Sequence, residues 1–171
     1  MPLRSFSHSI NTKVILVLIA LFSVNILAFS SIISWYPDLE FKHNINQIEE
    51  SHSSFIWTPE WESLKDTNAS GGTLKVSGIP GSKVSVSFIG TGAILHYATG
   101  TQSGIATIEL DGKTYTYIDM YSPIPQNRAT KTITSGLENT WHTLTVTVSG
   151  NKNPASSNLF VVVDAVGITQ T

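Results

Sequence analysis

His142-Thr143-Leu144-Thr145-Val146-Thr147-Val148 sets three threonines on one side of an extended chain and Leu144, Val146 and Val148 on the other. Successive side chains of a strand point to opposite faces, so this period of two predicts a strand with one face in a core and one in water. Lys83-Val84-Ser85-Val86-Ser87-Phe88 repeats the pattern, and Ala106-Thr107-Ile108-Glu109-Leu110 repeats it again. Shorter strands are predicted over 72–76, 93–97, 113–120 and 130–134. The run 159–168 contains Phe160-Val161-Val162-Val163, apolar on both faces, and reads as a central, covered strand.

Turn chemistry separates these runs. Ile79-Pro80-Gly81-Ser82 precedes one strand and Gly90-Thr91-Gly92 follows it. Asp111-Gly112, flanked by alternating segments, is the strongest short hairpin signal. Short strands at regular spacing, with no helical periodicity beside them, predict an all-β fold: an antiparallel β-sandwich or jelly roll over residues 49–171. Residues 35–48, with Pro37, Asn44 and Asn46, read as a linker in which a short helix has room.

One N-terminal hydrophobic helix is expected ahead of this domain. Val14 to Ile33 runs twenty residues without a charge, long enough at about 1.5 Å per residue to span a hydrocarbon core of ~30 Å. Arg4 and Lys13 precede it and Asp38 and Glu40 follow it, which keeps the N-terminus in the cytoplasm and exports the rest. Residues 1–34 are therefore either an uncleaved signal-anchor or a signal peptide cut after Ser30, where Ala28 and Ser30 supply small residues. The first reading makes a single-pass membrane protein with its β domain extracytoplasmic; the second makes a secreted one.

Composition narrows the chemistry. The 171 residues hold no cysteine, which excludes disulfides, thiolate metal sites and a cysteine nucleophile. Ten Lys and Arg against twelve Asp and Glu leave no basic excess for a nucleic-acid partner. Charged residues are 13%, about half the ~25% of ordinary soluble domains, with Ser, Thr and Asn in their place. No G-x-S-x-G, H-E-x-x-H or phosphate-loop motif is present, and no enzyme is expected.

The order of the motifs resembles a known family. Trp61, Gly71-Gly72-Thr73, Pro80-Gly81-Ser82 and the strand to Gly92 come first. Gly104 to Gly112, Gly136-Leu137, Trp141 to Gly150, Asn151 to Ser157 and Val161 to Val166 follow. Together they resemble the galactose-binding-like jelly-roll module that accompanies bacterial glycoside hydrolases and esterases. The resemblance implies a non-catalytic β-sandwich, often carbohydrate-binding. Trp141 departs from the family's pattern, which has a small residue there.

Sugars present apolar C–H faces and hydroxyl edges, so a site needs exposed rings beside short polar groups. His96 and Tyr97 precede the polar loop 98–102, Asp119 and Tyr121 precede the loop 122–127, and Trp141 sits at a third turn. These five are the candidate carbohydrate-binding residues. The alternative for each tyrosine is an ordinary strand position. No organic cofactor is expected. The resemblance implies that the terminal strands lie side by side, where some relatives hold Ca²⁺, and Glu49, Glu50 and Asp164 are the candidate ligands of such a structural ion. Otherwise Asp164 accepts backbone N–H bonds in the core. The function expected is an extracytoplasmic module binding carbohydrate or cell-surface glycan, held to the membrane through the N-terminal helix or secreted. The alternative from another class is a structural or adhesive ectodomain that contacts protein and no sugar.

Overall fold

The computed structural model describes residues 44–170. The expected membrane or signal segment 1–34, and the part of the linker up to residue 43, lie outside the described residues. Ten strands follow: β1 (Asn44–Glu49), β2 (Phe55–Trp57), β3 (Glu62–Lys65), β4 (Thr73–Ser77), β5 (Lys83–Thr99), β6 (Ile105–Leu110), β7 (Lys113–Asp119), β8 (Gln126–Val148), β9 (Val161–Val163) and β10 (Ala165–Gln170). A single 3₁₀ turn over Ser70–Gly72 is the only helical element among the described residues. None of the described helices is long and apolar enough to cross a membrane.

The strands form two antiparallel sheets. The larger has the order β1-β10-β5-β8-β6-β7, with β2 also paired to β5; the smaller is β3-β4-β9. Alternation decides what is buried. Val84, Val86 and Phe88 of β5, Leu144, Val146 and Val148 of β8, and Ala106, Ile108 and Leu110 of β6 enter one core with Val161 and Val163 of the small sheet. Each such Val, Leu, Ile or Phe contributes about 1.5–3 kcal/mol on full burial. Phe55, Trp57 and Trp61 close one side of this core: Phe55 stacks on Trp57 at 5.5 Å, and the Trp61 indole N–H donates to the Lys83 carbonyl at 3.1 Å. Asp111 (φ 51) and Gly112 (φ 75) both have positive φ, as the two-residue hairpin turn joining β6 to β7 requires.

Three expectations need correction. The predicted strands at 83–88 and 93–97 are one 17-residue strand, and those at 130–134 and 142–148 belong to the 23-residue β8. Gly90 pairs with Thr140 but Gly92 with Ser135, so the chain between them in β8 bulges out while pairing resumes beyond it. Glycine is needed there: a Cβ on Gly92 would lie 2.5 Å from the Thr134 carbonyl oxygen. The run 159–168 is not one central strand. It breaks at Asp164 into β9, at the end of the small sheet, and β10, between β1 and β5. Val161 and Val163 face the core while Val162 lines a surface cleft, which explains why both faces are apolar. Finally, residues 44–48 of the expected linker form β1, paired from Asn44↔Gln170 to Glu49↔Ala165, and Ile48 packs on the core.

Candidate functional site

The loops at the far ends of β5 and β7 clasp one another. Gly100 bridges Tyr121, and the Ser122 N–H donates to the Gly100 carbonyl at 3.1 Å. The Asp119 carboxylate accepts from the Tyr121 N–H at 3.0 Å and from Asn153 Nδ2 at 2.8 Å. The Ser157 N–H donates to the Thr101 carbonyl at 3.1 Å, and the Gly104 N–H to the Phe160 carbonyl at 2.8 Å. Three separate chain segments are thus fixed before any ligand arrives.

Beside this clasp lies a cleft of about 450 Å³. Leu64 and Val76 of the small sheet, Val162 of β9, Phe160 and Pro125 give it apolar walls, and Glu62, Thr101 and Gln102 give it polar edges. A pocket of this size with a few directed polar groups suits a small polar ligand with an apolar face. Asp119 and Tyr121 do not line the cleft; they hold its loops. The loop 98–102 is legible in the sequence; Phe160, inside an apolar run that reads as one continuous strand, and Glu62, with no signal of its own, are not.

His96 and Tyr97 go elsewhere. His96 shares a row with Ala165 and Glu49 across β5, β10 and β1. Its Nε2 is buried without a partner, and burial lowers its pKa while the nearby Glu49 charge works the other way. Tyr97 packs against the core, and burial raises its phenol pKa. Trp141 stands 68% exposed on β8, beyond the Leu110–Leu144 end of β6, while Asp119 pairs at the other end. The five candidate sugar ligands therefore do not form one site.

The three candidate metal ligands do meet. Glu49 closes β1, Glu50 follows it, and Asp164 sits where the chain passes from the small sheet to the large one. One carboxylate oxygen from each lies within 4.8 Å of the others. Glu50 is 2% and Asp164 0% exposed. The Ser70 N–H donates to both Asp164 oxygens at 3.0 and 3.1 Å, the Ser70 hydroxyl donates to Glu49 at 2.9 Å, and the Thr73 hydroxyl donates to Glu50. Oε2 of Glu49 and Oε2 of Glu50 remain buried without a partner. Burial raises the Asp164 pKa, partly offset by the Ser70 N–H and reinforced by the two glutamates. Gly71 (φ 64) keeps the approach open, since a Cβ there would lie 3.1 Å from Glu49 Oε2. Unpartnered buried carboxylate oxygens are costly, and a hard cation, which takes oxygen ligands only, matches this donor set.

No protein-family model and no curated protein matches the sequence. Solved structures do match in fold. A Paenibacillus xanthan lyase aligns with 74% of this chain at a TM-score of 0.60 and 20% identity, and a two-domain esterase active on acetylated mannans with 75% at 0.58 and 15%. The chain spans only 13% of that lyase and 37% of that esterase. A family 35 carbohydrate binding module from Clostridium thermocellum aligns with 72% at a TM-score of 0.52 and 12% identity, and there the match covers 98% of the module. At these identities the likeness is one of fold: an all-β antiparallel jelly roll.

Proposed function

We propose that the β domain is a non-catalytic module that binds carbohydrate or cell-surface glycan outside the cytoplasm. The observation that carries this reading is the cleft at the loop end, with Phe160 and Pro125 as apolar surface and Glu62, Thr101 and Gln102 as hydrogen-bonding edge. Binding is reversible and breaks no bond: a sugar C–H face packs on Phe160 while its hydroxyls pair with the polar rim. The fold shared with a family 35 carbohydrate binding module supports the same reading. Single sites of this size bind in about the millimolar to micromolar range, and attachment to a membrane through 14–33 raises the effective concentration of ligand at a surface.

A Ca²⁺ ion held by Glu49, Glu50 and Asp164 belongs to this proposal as a structural element. Glu49, Glu50 and Asp164 would hold it, and its charge would compensate the two buried, unpartnered Oε2 atoms. The functional test is a glycan array probed with the full chain. Binding to a defined set of saccharides, lost in Phe160→Ala and in the exposed-site variant Gln102→Ala, is expected. Absence of binding to every saccharide, with capture of a protein partner instead, would favour an adhesive ectodomain.

A further inference from the structure

Asn68-Ala69-Ser70 fits the acceptor pattern for an N-linked glycan: an asparagine, a hydroxyl residue two places on, and no proline between them. No other asparagine of the chain has Ser or Thr at that spacing. The stretch lies in the turn between β3 and β4. The Ala69 N–H donates to the Asp66 carbonyl at 3.0 Å, and the Asn68 N–H donates to the Asp66 carboxylate at 2.8 Å. Asparagine is common in such turns, so the residue type alone carries nothing further. Its setting carries more. From β8, Arg128 Nε donates to the Asn68 carbonyl at 2.7 Å and Nη2 to the Ala69 carbonyl at 3.3 Å. Ala69 is buried, so the turn is anchored there and presents Asn68, which is exposed. Both main-chain groups of Asn68 are engaged in the fold while its carboxamide stands at the surface. With Thr67, Asn127 and Arg128 it lines a hollow of about 490 Å³ that shares no residue with the cleft.

Ser70 has the opposite setting. Its hydroxyl donates to Glu49 at 2.9 Å and accepts from Gln47 Nε2, and its N–H donates to Asp164. Serine and threonine have a β-hydroxyl in common, so a transferase that accepts either reads that group. In the folded domain this hydroxyl is half-buried and engaged on both sides, so the acceptor is readable only before the turn closes. Once the domain has folded, a glycan on the exposed Asn68 carboxamide displaces none of these hydrogen bonds. We propose that Asn68 is N-glycosylated during export, before the domain folds, with a polyprenyl-diphosphate-linked oligosaccharide as the donor. A bond forms between Asn68 Nδ2 and the anomeric carbon, and the bond from that carbon to the diphosphate oxygen breaks. One amide proton passes to a base of the transferase, and polyprenyl diphosphate leaves. The step involves no change of oxidation state. It rests on the reading of the β domain as extracytoplasmic but uses neither the cleft nor the carboxylate cluster as a binding site.

The test is expression of the full chain in cells whose export route carries that donor. We expect a mass increase that peptide N-glycosidase removes, converting the modified asparagine to aspartate and so marking the site in a peptide map. Asn68→Gln should abolish the increase while the chain still folds. Trp141→Thr completes a second acceptor at Asn139, which is exposed in the β8 bulge, and reports whether the domain is exported. A glycan at both positions is expected in that variant. A glycan at Asn139 with none at Asn68 overturns the proposal and leaves the extracytoplasmic reading standing. A glycan at neither overturns both. Chain made without glycan, folded, and then supplied with transferase and donor should stay largely unmodified; full occupancy there overturns the proposed order of events.

Discussion

The His142 imidazole and the Asp111 carboxylate meet at 2.8 Å through Nδ1, linking the β6–β7 turn to β8. The other ring nitrogen, Nε2, lies 3.0 Å from the Glu138 carbonyl oxygen. Only an imidazolium can donate to both acceptors. The Asp111 hydrogen bond, then that of Glu138, raises the His142 pKa. The His142 bond, then the Thr143 N–H, lowers that of Asp111.

The pH dependence follows from those directions. A raised histidine contributes fully below its unfolded pKa of about 6.5, and its share is lost as pH rises through the folded value. A lowered aspartate contributes above about 3.9, and its share is lost as pH falls through its folded value. The pair therefore supports the fold most between about pH 4 and 6.5. We expect Asp111→Asn, which still tolerates positive φ, to flatten the decline in melting temperature above that window. It should also bring the His142 titration, followed by NMR, back toward an ordinary histidine. A His142 titration that ignores the substitution contradicts the pairing.

Calcium should raise the melting temperature, and a chelator should reverse the gain. At one hundred times Kd the stabilisation is about 2.7 kcal/mol, or several degrees. Glu50→Gln gives the sharper result. In chelator it removes one of three mutually repelling carboxylates and should be at least as stable as the parent. With calcium it should be less stable. Parallel melting curves in both conditions, with no crossover, would remove the ion.

Backbone proximity sets a third expectation. A Cβ on Gly92 would lie 2.5 Å from the Thr134 carbonyl and 2.6 Å from Thr169 Oγ1. Gly92→Ala should cost about 1–3 kcal/mol in urea unfolding. Gly100→Ala meets only Ser103 Oγ at 3.8 Å, an ordinary contact, and should be nearly neutral. Equal effects at the two positions would mean that the β5–β8 bulge does not constrain the chain.

Alternation made the main strands legible: Val84, Val86 and Phe88, and Leu144, Val146 and Val148, are buried as the pattern of two requires. The Asp111-Gly112 turn was equally plain. Strand continuity was not, because Gly90-Thr91-Gly92 looks like a turn although its neighbours stay paired across a bulge. The break at Asp164 was hidden for a related reason. Val161-Val162-Val163 carries one valine for the cleft and two for the core, and an apolar run does not say which. The cleft itself escaped because it is assembled from β3, β4, β9 and three loops, whose meeting is a product of topology. Tyr97 looked like a ring available to ligand, but a tyrosine at a strand end can equally pack inward, as it does here.

Calorimetric titration of the full chain with soluble saccharides drawn from array hits addresses the binding cleft most directly. The account predicts a saturable isotherm weakened about tenfold or more in Phe160→Ala and Gln102→Ala, with the saccharide recovered chemically intact. Isotherms identical in parent and variants, or a cleaved or deacylated product in the cell, would contradict it.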